Sequence, residues 1–237
     1  IQPTVTQPSV SLTFASAKAY EVGTKITPSY SAKLNAGSYS YGPATGITAT
    51  SWSVSATGVE NPITTATGSF PEITVTEGMN YKVTAVATHE AGADPVTNLG
   101  NPADASKKIA AGTKSATSGS ITGFRSFFYG TKTTGLDSYD SAAVRLLTNG
   151  NAKAEPNKKF NITIPAGTKQ VVIAVPAARS LKSVINVGLS RGEVADTFVA
   201  STVDVEGANG YAAAPYKVYV FNSSTALDAN TYEVTLA

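Results

Sequence analysis

The sequence predicts an all-β protein built as two β-sandwich domains, on three observations. Apolar and polar side chains alternate with period two along much of the chain. Gly, Pro, Asn and Ser clusters punctuate the alternating runs, and Thr, Val, Ser and Ala dominate. Alternation at that period turns one face of a strand to a core and the other to water, and branching at Cβ stiffens Thr and Val on a pleated surface. Short strands at regular spacing favour antiparallel sandwiches over parallel α/β folds. With 237 residues the chain is long enough for one or two domains. A single globule of that mass would bury roughly 70% of its extended-chain surface.

The elements follow in chain order. Residues 10–14 alternate over a full strand length, and residues 50–55 do so around the single Trp52. Residues 81–88 alternate with small side chains on one face. Segment 101–119 is rich in Ala, Lys, Ser and Gly, and segment 121–130 is the most aromatic of the chain. The division is therefore placed near residue 115, giving an immunoglobulin-like sandwich over 1–114 and a second sandwich over 115–237. Segment 137–150 departs from the strand pattern. Asp137 and Asp140 supply capping chemistry, Ala143, Val144 and Leu147 share a stripe, and Asn149-Gly150 is a left-handed stop. One short helix is predicted near 138–149, packed across an end of the second sheet. The longest apolar run, 171–178, is broken by Pro176 and reads as a buried strand. Residues 216–221 are apolar almost throughout, as a strand covered on both sides would be. Residues 231–237 are again strand-like. Gly-Thr-Lys recurs at Gly23, Gly112, Gly130 and Gly167 without a fixed period, which marks strand entry after a turn and not a solenoid.

Composition excludes several classes of function. Charged residues are 14% of the chain, against about 25% in an ordinary soluble domain. The 18 basic and 16 acidic residues leave a formal charge of +2, without the surplus of a nucleic-acid binder. There are no cysteines, which removes disulfides, thiolate metal sites and cysteine nucleophiles. No run approaches the ~20 apolar residues of a membrane span. Residues 1–4 show no basic n-region leading into an apolar h-region, so no signal peptide is expected there.

Any histidine mechanism must pass through His89, the only one. Placed beside the turn-like 90–95, it reads as a solvated residue at a strand end. HExxH, GxSxG, Walker and dinucleotide fingerprints are absent from the sequence. Asp137, Asp140, Asp196, Asp204, Glu206 and Asp228 are the acids a glycosidase pair would draw on, and they read as turn and surface residues. The expectation is a non-enzymatic protein with no catalytic, cofactor-binding or metal-binding residue and no cofactor.

Aromatic residues are weighed differently. Tyr39 and Tyr41, flanked by turn chemistry, either project as adhesive contacts or pack on their own sandwich. Trp52 reads as a core pin between sheets, the sharper alternative being a sugar-stacking platform. Phe124, Phe127, Phe128 and Tyr129 alternate poorly, so at least one ring is expected to face outward, covered by the helix, the other domain or a neighbouring subunit. Tyr39, Tyr41, Phe127, Phe128 and Tyr129 are the surface contacts expected from sequence.

Several strings carry a resemblance: 41–46 (Tyr-Gly-Pro-Ala-Thr-Gly), 68–71, 97–100, 123–130, 164–169, 207–211 and the strand 216–221. Across most of its length the chain resembles fibre-like or tail-associated virion structural proteins of tailed phages of gut Bacteroidales, including crAss-like phages. That resemblance implies a non-enzymatic, homo-oligomeric component of a virion fibre, tail or head surface. Its partners would be copies of itself or other virion proteins, with a host-surface glycan as a further ligand and neither nucleic acid nor a membrane span. The alternative is a secreted or cell-surface adhesin or glycan-binding module of a gut bacterium, using Tyr39, Tyr41 or Trp52.

Overall fold

The computed structural model describes residues 1–147 and 149–237, with the backbone alone at 149–151. The fold is all-β, of β-sandwich type, with one short α-helix. Its residues form two compact units, one of Ile1–Ala19 with Lys25–Thr122 and one of Tyr20–Thr24 with Gly123–Ala237. A division at 114/115 would cut through Gly112–Thr117, a strand that pairs antiparallel with Val83–His89. Its small polar residues look like a linker, yet they supply backbone to a sheet edge, where large side chains are not required.

In the first unit, Gly112–Thr117, Val83–His89 and Ala49–Ala56 form one three-stranded sheet, and Ser9–Thr13, Ser29–Asn35 and Thr67–Ser69 form another. Val54, Ala56, Val83, Ala85 and Ala87 of the first sheet are buried, as are Tyr30 and Ala32 of the second. The alternation expected at 10–14, 50–55 and 81–88 is the alternation of burial along these strands.

In the second unit a five-stranded sheet runs in the order Asn149–Lys153, Ser126–Lys132, Gln170–Pro176, Ala214–Asn222, Val199–Val205. A four-stranded sheet runs Lys159–Ile164, Asn230–Leu236, Leu181–Asn186, Gly192–Glu193. Phe127, Val171, Ile173 and Val175 pack with Ile162, Ile164, Val184, Tyr232, Val234 and Leu236 in one cluster. On the far side of the larger sheet, Phe128, Val172, Ala174, Tyr216 and Val218 lie under Tyr139, Val144 and Leu147. Register keeps the two clusters apart: Phe128 stands opposite Ala174, and Tyr129 opposite Ile173.

The helix covers that second face but is shorter than the sequence suggested. It spans Ser141–Arg145, with Asp140 as N-cap accepting from Ala143 N–H at 2.8 Å. The stripe is used, since Ala143, Val144 and Leu147 all meet the same cluster. The expected stop at Asn149-Gly150 is not a helix end. Asn149–Lys153 is a strand on Ser126–Lys132, and a ladder of backbone hydrogen bonds there competes successfully with further helical turns. Of the predicted helical residues, Thr148 lies outside the described ones. Arg145 closes the helix against its own unit: it donates to Glu21 Oε1 at 2.7 Å and to the Glu206 carbonyl at 2.9 Å, with its guanidinium 5.5 Å from the Phe128 ring centre.

One buried polar group organises this side. Gln170 is 1% exposed. Its Oε1 accepts from Tyr139 O–H at 2.6 Å and Leu136 N–H at 3.1 Å, and its Nε2 donates to Leu136 O and Asn222 Oδ1, both at 2.8 Å. All four of its hydrogen-bonding positions are used. Gly135 is required beside it, since a Cβ there would stand 2.8 Å from Gln170 Nε2.

Two outcomes follow. Gln170→Ala strands four partners and leaves a void, and chemical denaturation should show a loss of about 2–4 kcal/mol. Burial pushes the Tyr139 hydroxyl up to about 12 from its ordinary 10.0. Between pH 10 and 12 the unfolded chain releases that proton and the folded one keeps it, so stability falls as pH rises through this window. Tyr139→Phe should make the fall in Tm from pH 10 to 12 shallower than in wild type, and an unchanged slope would refute this assignment.

Candidate functional site

The residues singled out from the sequence do not converge on one place. Tyr39 is half-buried, and its hydroxyl donates to Ala93 O at 3.0 Å while accepting from Ile109 N–H at 3.1 Å. Gly92 lies against that oxygen, which a Cβ would approach to 2.8 Å. Tyr39 is thus an internal brace whose polar tip is already spent. Tyr41 is half-buried next to Gly42, where a Cβ would meet Val96 Cγ2 at 2.4 Å. Trp52 is also half-buried, opposite Ala87 and on the same strand face as Val54 and Ala56. It neither pins a closed core nor stands free as a platform.

Phe127 and Phe128 correct the sequence expectation outright, because neither is a surface contact. Both are buried, on opposite faces of Ser126–Lys132. Their poor alternation reflects a strand next to the sheet centre with cover on both sides, not a ring facing solvent. The helix supplies the cover over Phe128. Tyr129 is half-buried, 6.2 Å from Phe127 and 4.8 Å from Phe160 between ring centres. These offset rings form a staple between neighbouring strands of the two sheets.

His89 is a second correction. It is 2% exposed, on the inward face with Ala85 and Ala87. Its Nδ1 lies 2.8 Å from the Glu90 carbonyl, so Nδ1–H donates there and Nε2 is left as an acceptor with no protein partner. His89 is the last residue of the strand, and the same alternation that buries Val83, Ala85 and Ala87 turns it inward. The acids stay apart in role. Asp140 caps the helix, while Asp137, Asp196, Asp204, Glu206 and Asp228 are exposed. Among the described residues no group of three or more His, Asp or Glu could hold a metal ion, and no helix is long and apolar enough to cross a membrane.

Two features stand out that sequence reasoning did not single out. The first is Val199–Val205, the last strand of the five-stranded sheet. It pairs with Ala214–Asn222 in unbroken register, and no strand lies on its other side among the described residues. Its first four residues are exposed, and Val199 is 72% exposed on the face that Val203 and Val205 bury. No charge or proline appears before Asp204, so the edge lacks the usual guards against strand addition. That seven-residue run with a single charge was the readable signal.

The second is a cavity of about 780 Å³ in the first unit. Phe70 and Tyr81 are buried at its floor. Val59, Ile63, Ile73 and Met79 are half-buried in its walls, with Glu60, Asn61 and Ser69 at an exposed rim. A smaller cavity of about 240 Å³ in the second unit is lined by Asn186, Leu189, Asp228 and Asn230, among others. Its amides already serve the local backbone, with Asn230 Oδ1 accepting from Gly188 and Thr231 N–H.

No protein-family model, no curated protein and no solved structure matches the chain.

Proposed function

We propose that this chain is a non-enzymatic structural protein that assembles through sheet-edge contacts, as a fibre, tail or head-surface component of a phage virion. One observation supports assembly above the rest: the Val199–Val205 edge. An edge strand offers a row of N–H and C=O groups set for another strand, and the exposed Val199 adds apolar area beside them. The binding energy would come from backbone hydrogen bonds plus burial of small apolar side chains, with no group needing to titrate. A second copy of the chain is the simplest partner. What supports the virion setting is the resemblance carried by segments 41–46, 123–130, 164–169 and 207–211.

Sedimentation across a concentration series should show reversible association of the wild-type chain. A Val199→Lys/Ser201→Lys variant puts two charges on one face of the edge. It should weaken association by roughly tenfold or more, equivalent to about 1.4 kcal/mol. A wild-type chain that stays monomeric throughout its soluble range, or a double variant that associates equally well, would overturn edge-mediated self-assembly. The virion setting has a separate test in the DNA flanking the gene. Capsid, portal or tail genes are expected there, and an operon of bacterial surface proteins would replace the virion with the cell surface.

A further inference from the structure

The open edge of Val199–Val205 carries its own pairing pattern. In an antiparallel ladder the N–H and C=O of one residue point to the same side, and successive residues alternate sides. Pro215 lies in Ala214–Asn222, and its carbonyl accepts from Ala177 N–H at 2.9 Å, on the side of Gln170–Pro176. Its neighbour on the other side is Asp204. The Asp204–Pro215 pair is therefore not hydrogen-bonded, and the N–H that proline lacks is not needed there. Val199, Ser201, Val203 and Val205 thus bond to Ala214–Asn222. Ala200, Thr202 and Asp204 turn their N–H and C=O groups to the open side, where no strand meets them among the described residues.

Both ends of this row are closed. Past Val205, Glu206 N–H donates to Ser141 Oγ at 3.0 Å, and the Glu206 carbonyl accepts from Arg145 at 2.9 Å. Before Val199 the chain turns through Ala195–Thr197, with Phe198 N–H donating to Ala195 O at 3.2 Å. Ala200, Thr202 and Asp204 remain, with Thr202 at the centre. Such a row is self-complementary. Laid antiparallel against a copy of itself about Thr202, each outward group meets a counterpart.

We propose that two copies of the chain pair along this edge about a two-fold axis at Thr202, so that the five-stranded sheet continues from one copy into the other. This pairing rests on the edge-mediated assembly proposed above, to which it adds a register and an end point. Ala200 faces the partner's Asp204 and Thr202 faces the partner's Thr202, which gives about six backbone hydrogen bonds, two for each facing pair. Val199, 72% exposed in the single chain, comes opposite the partner's Val205 at a non-hydrogen-bonded position, where side chains lie closest. The apolar face that the helix leaves bare is thereby covered. Neighbouring registers match less. Centred on Ser201 or Val203, the row matches two facing pairs, because the third falls on Phe198 or on the already bonded Glu206. Centred on Asp204, it sets two carboxylates directly opposite each other, which is destabilising. About Thr202 those carboxylates stand roughly 14 Å apart, beyond a Debye length of about 10 Å. A two-fold pairing uses each edge once, so assembly through it closes at the dimer.

The chain has no cysteine, so one introduced thiol reports the register. Across the axis the two Thr202 Cα atoms stand about 5.5 Å apart, inside the ~4.4–6.8 Å that a disulfide spans. Full-length Thr202→Cys, oxidised in air with copper–phenanthroline, should form a covalent dimer roughly tenfold or more faster than Asp204→Cys, because pairing brings only the former's thiols together. Both positions are exposed, so chance collision treats them alike. Sedimentation of the reduced variants and of the wild type gives the assembly state, and the mass should rise to two copies and no further. Equal rates for the two cysteines in a chain that still dimerises would sink the Thr202 axis while leaving association intact. Growth past two copies would rule out a closed pair. A chain that never associates removes edge assembly itself, and the axis with it.

Discussion

The second unit depends on a strand with no solvent face. Gln170–Pro176 is buried from Gln170 through Val175, and its side chains enter two clusters alternately. A strand of this kind cannot be stabilised by one partner sheet, because the opposite face would put Val172 and Ala174 in water. It demands cover on both sides, and the rest of the unit is that cover. The four-stranded sheet lies over Val171, Ile173 and Val175. The helix and the loop leading into it lie over Val172 and Ala174. A helix of five residues is too short to hold itself together in water, so tertiary anchors decide its position. They are the Asp140 cap, the Gln170 network through Tyr139 and Leu136, and Arg145 bound to Glu21 and Glu206.

The same constraint sends the unit's liabilities outward. With the central strand closed on both faces and paired on both edges, open backbone remains only at the ends of the sheet. One end is Asn149–Lys153, which follows the helix directly, and the other is Val199–Val205. Cover by the helix side reaches Val205 and Val203 but not Val199. The exposed face at Val199 is therefore a geometric consequence of where the helix stops. Selection could have blunted it with a single lysine or proline, and the sequence carries neither between 199 and 203.

How much of this was legible in the sequence depends on the range of the information. Alternation is local, so residues 10–14, 50–55, 81–88 and 216–221 announce their strands, and the apolar run at 171–178 announces a strand buried on both faces. The helix stripe was also local, and Val144 and Leu147 fall as it required. What failed were inferences about exposure that depended on partners distant in sequence. Phe127 and Phe128 looked too aromatic for one face because the two covers come from residues 160–236 and 139–147. His89 was read correctly as a strand end but wrongly as solvated, because the cover over its inward face comes from elements distant in sequence. Least readable of all was Tyr20–Thr24, which belongs to the second unit. There Val22 is fully buried, its N–H donates to Phe124 O, and its carbonyl accepts from Ala208 N–H. Gly23, at φ 88°, leaves no room for a Cβ beside Ala208 O. Nothing about five residues in a run of polar chain signals a partner nearly two hundred positions away.

The two units also treat buried polarity in different ways. Gln170 in the second unit has every donor and acceptor matched, as a purely structural polar group should. In the first unit Tyr81 Oη, His89 Nε2 and Thr97 Oγ1 are buried without a partner, the only such side-chain atoms among the described residues. A folded chain retains an unmatched group when packing forces it or when something else supplies the match. His89 fits the first case, since strand alternation turns it inward and its only ring-nitrogen partner is the adjacent Glu90 carbonyl. Tyr81 fits it too, since its ring packs against Phe14 and its backbone exchanges hydrogen bonds with Ile121, so the hydroxyl lies where the surrounding core places it.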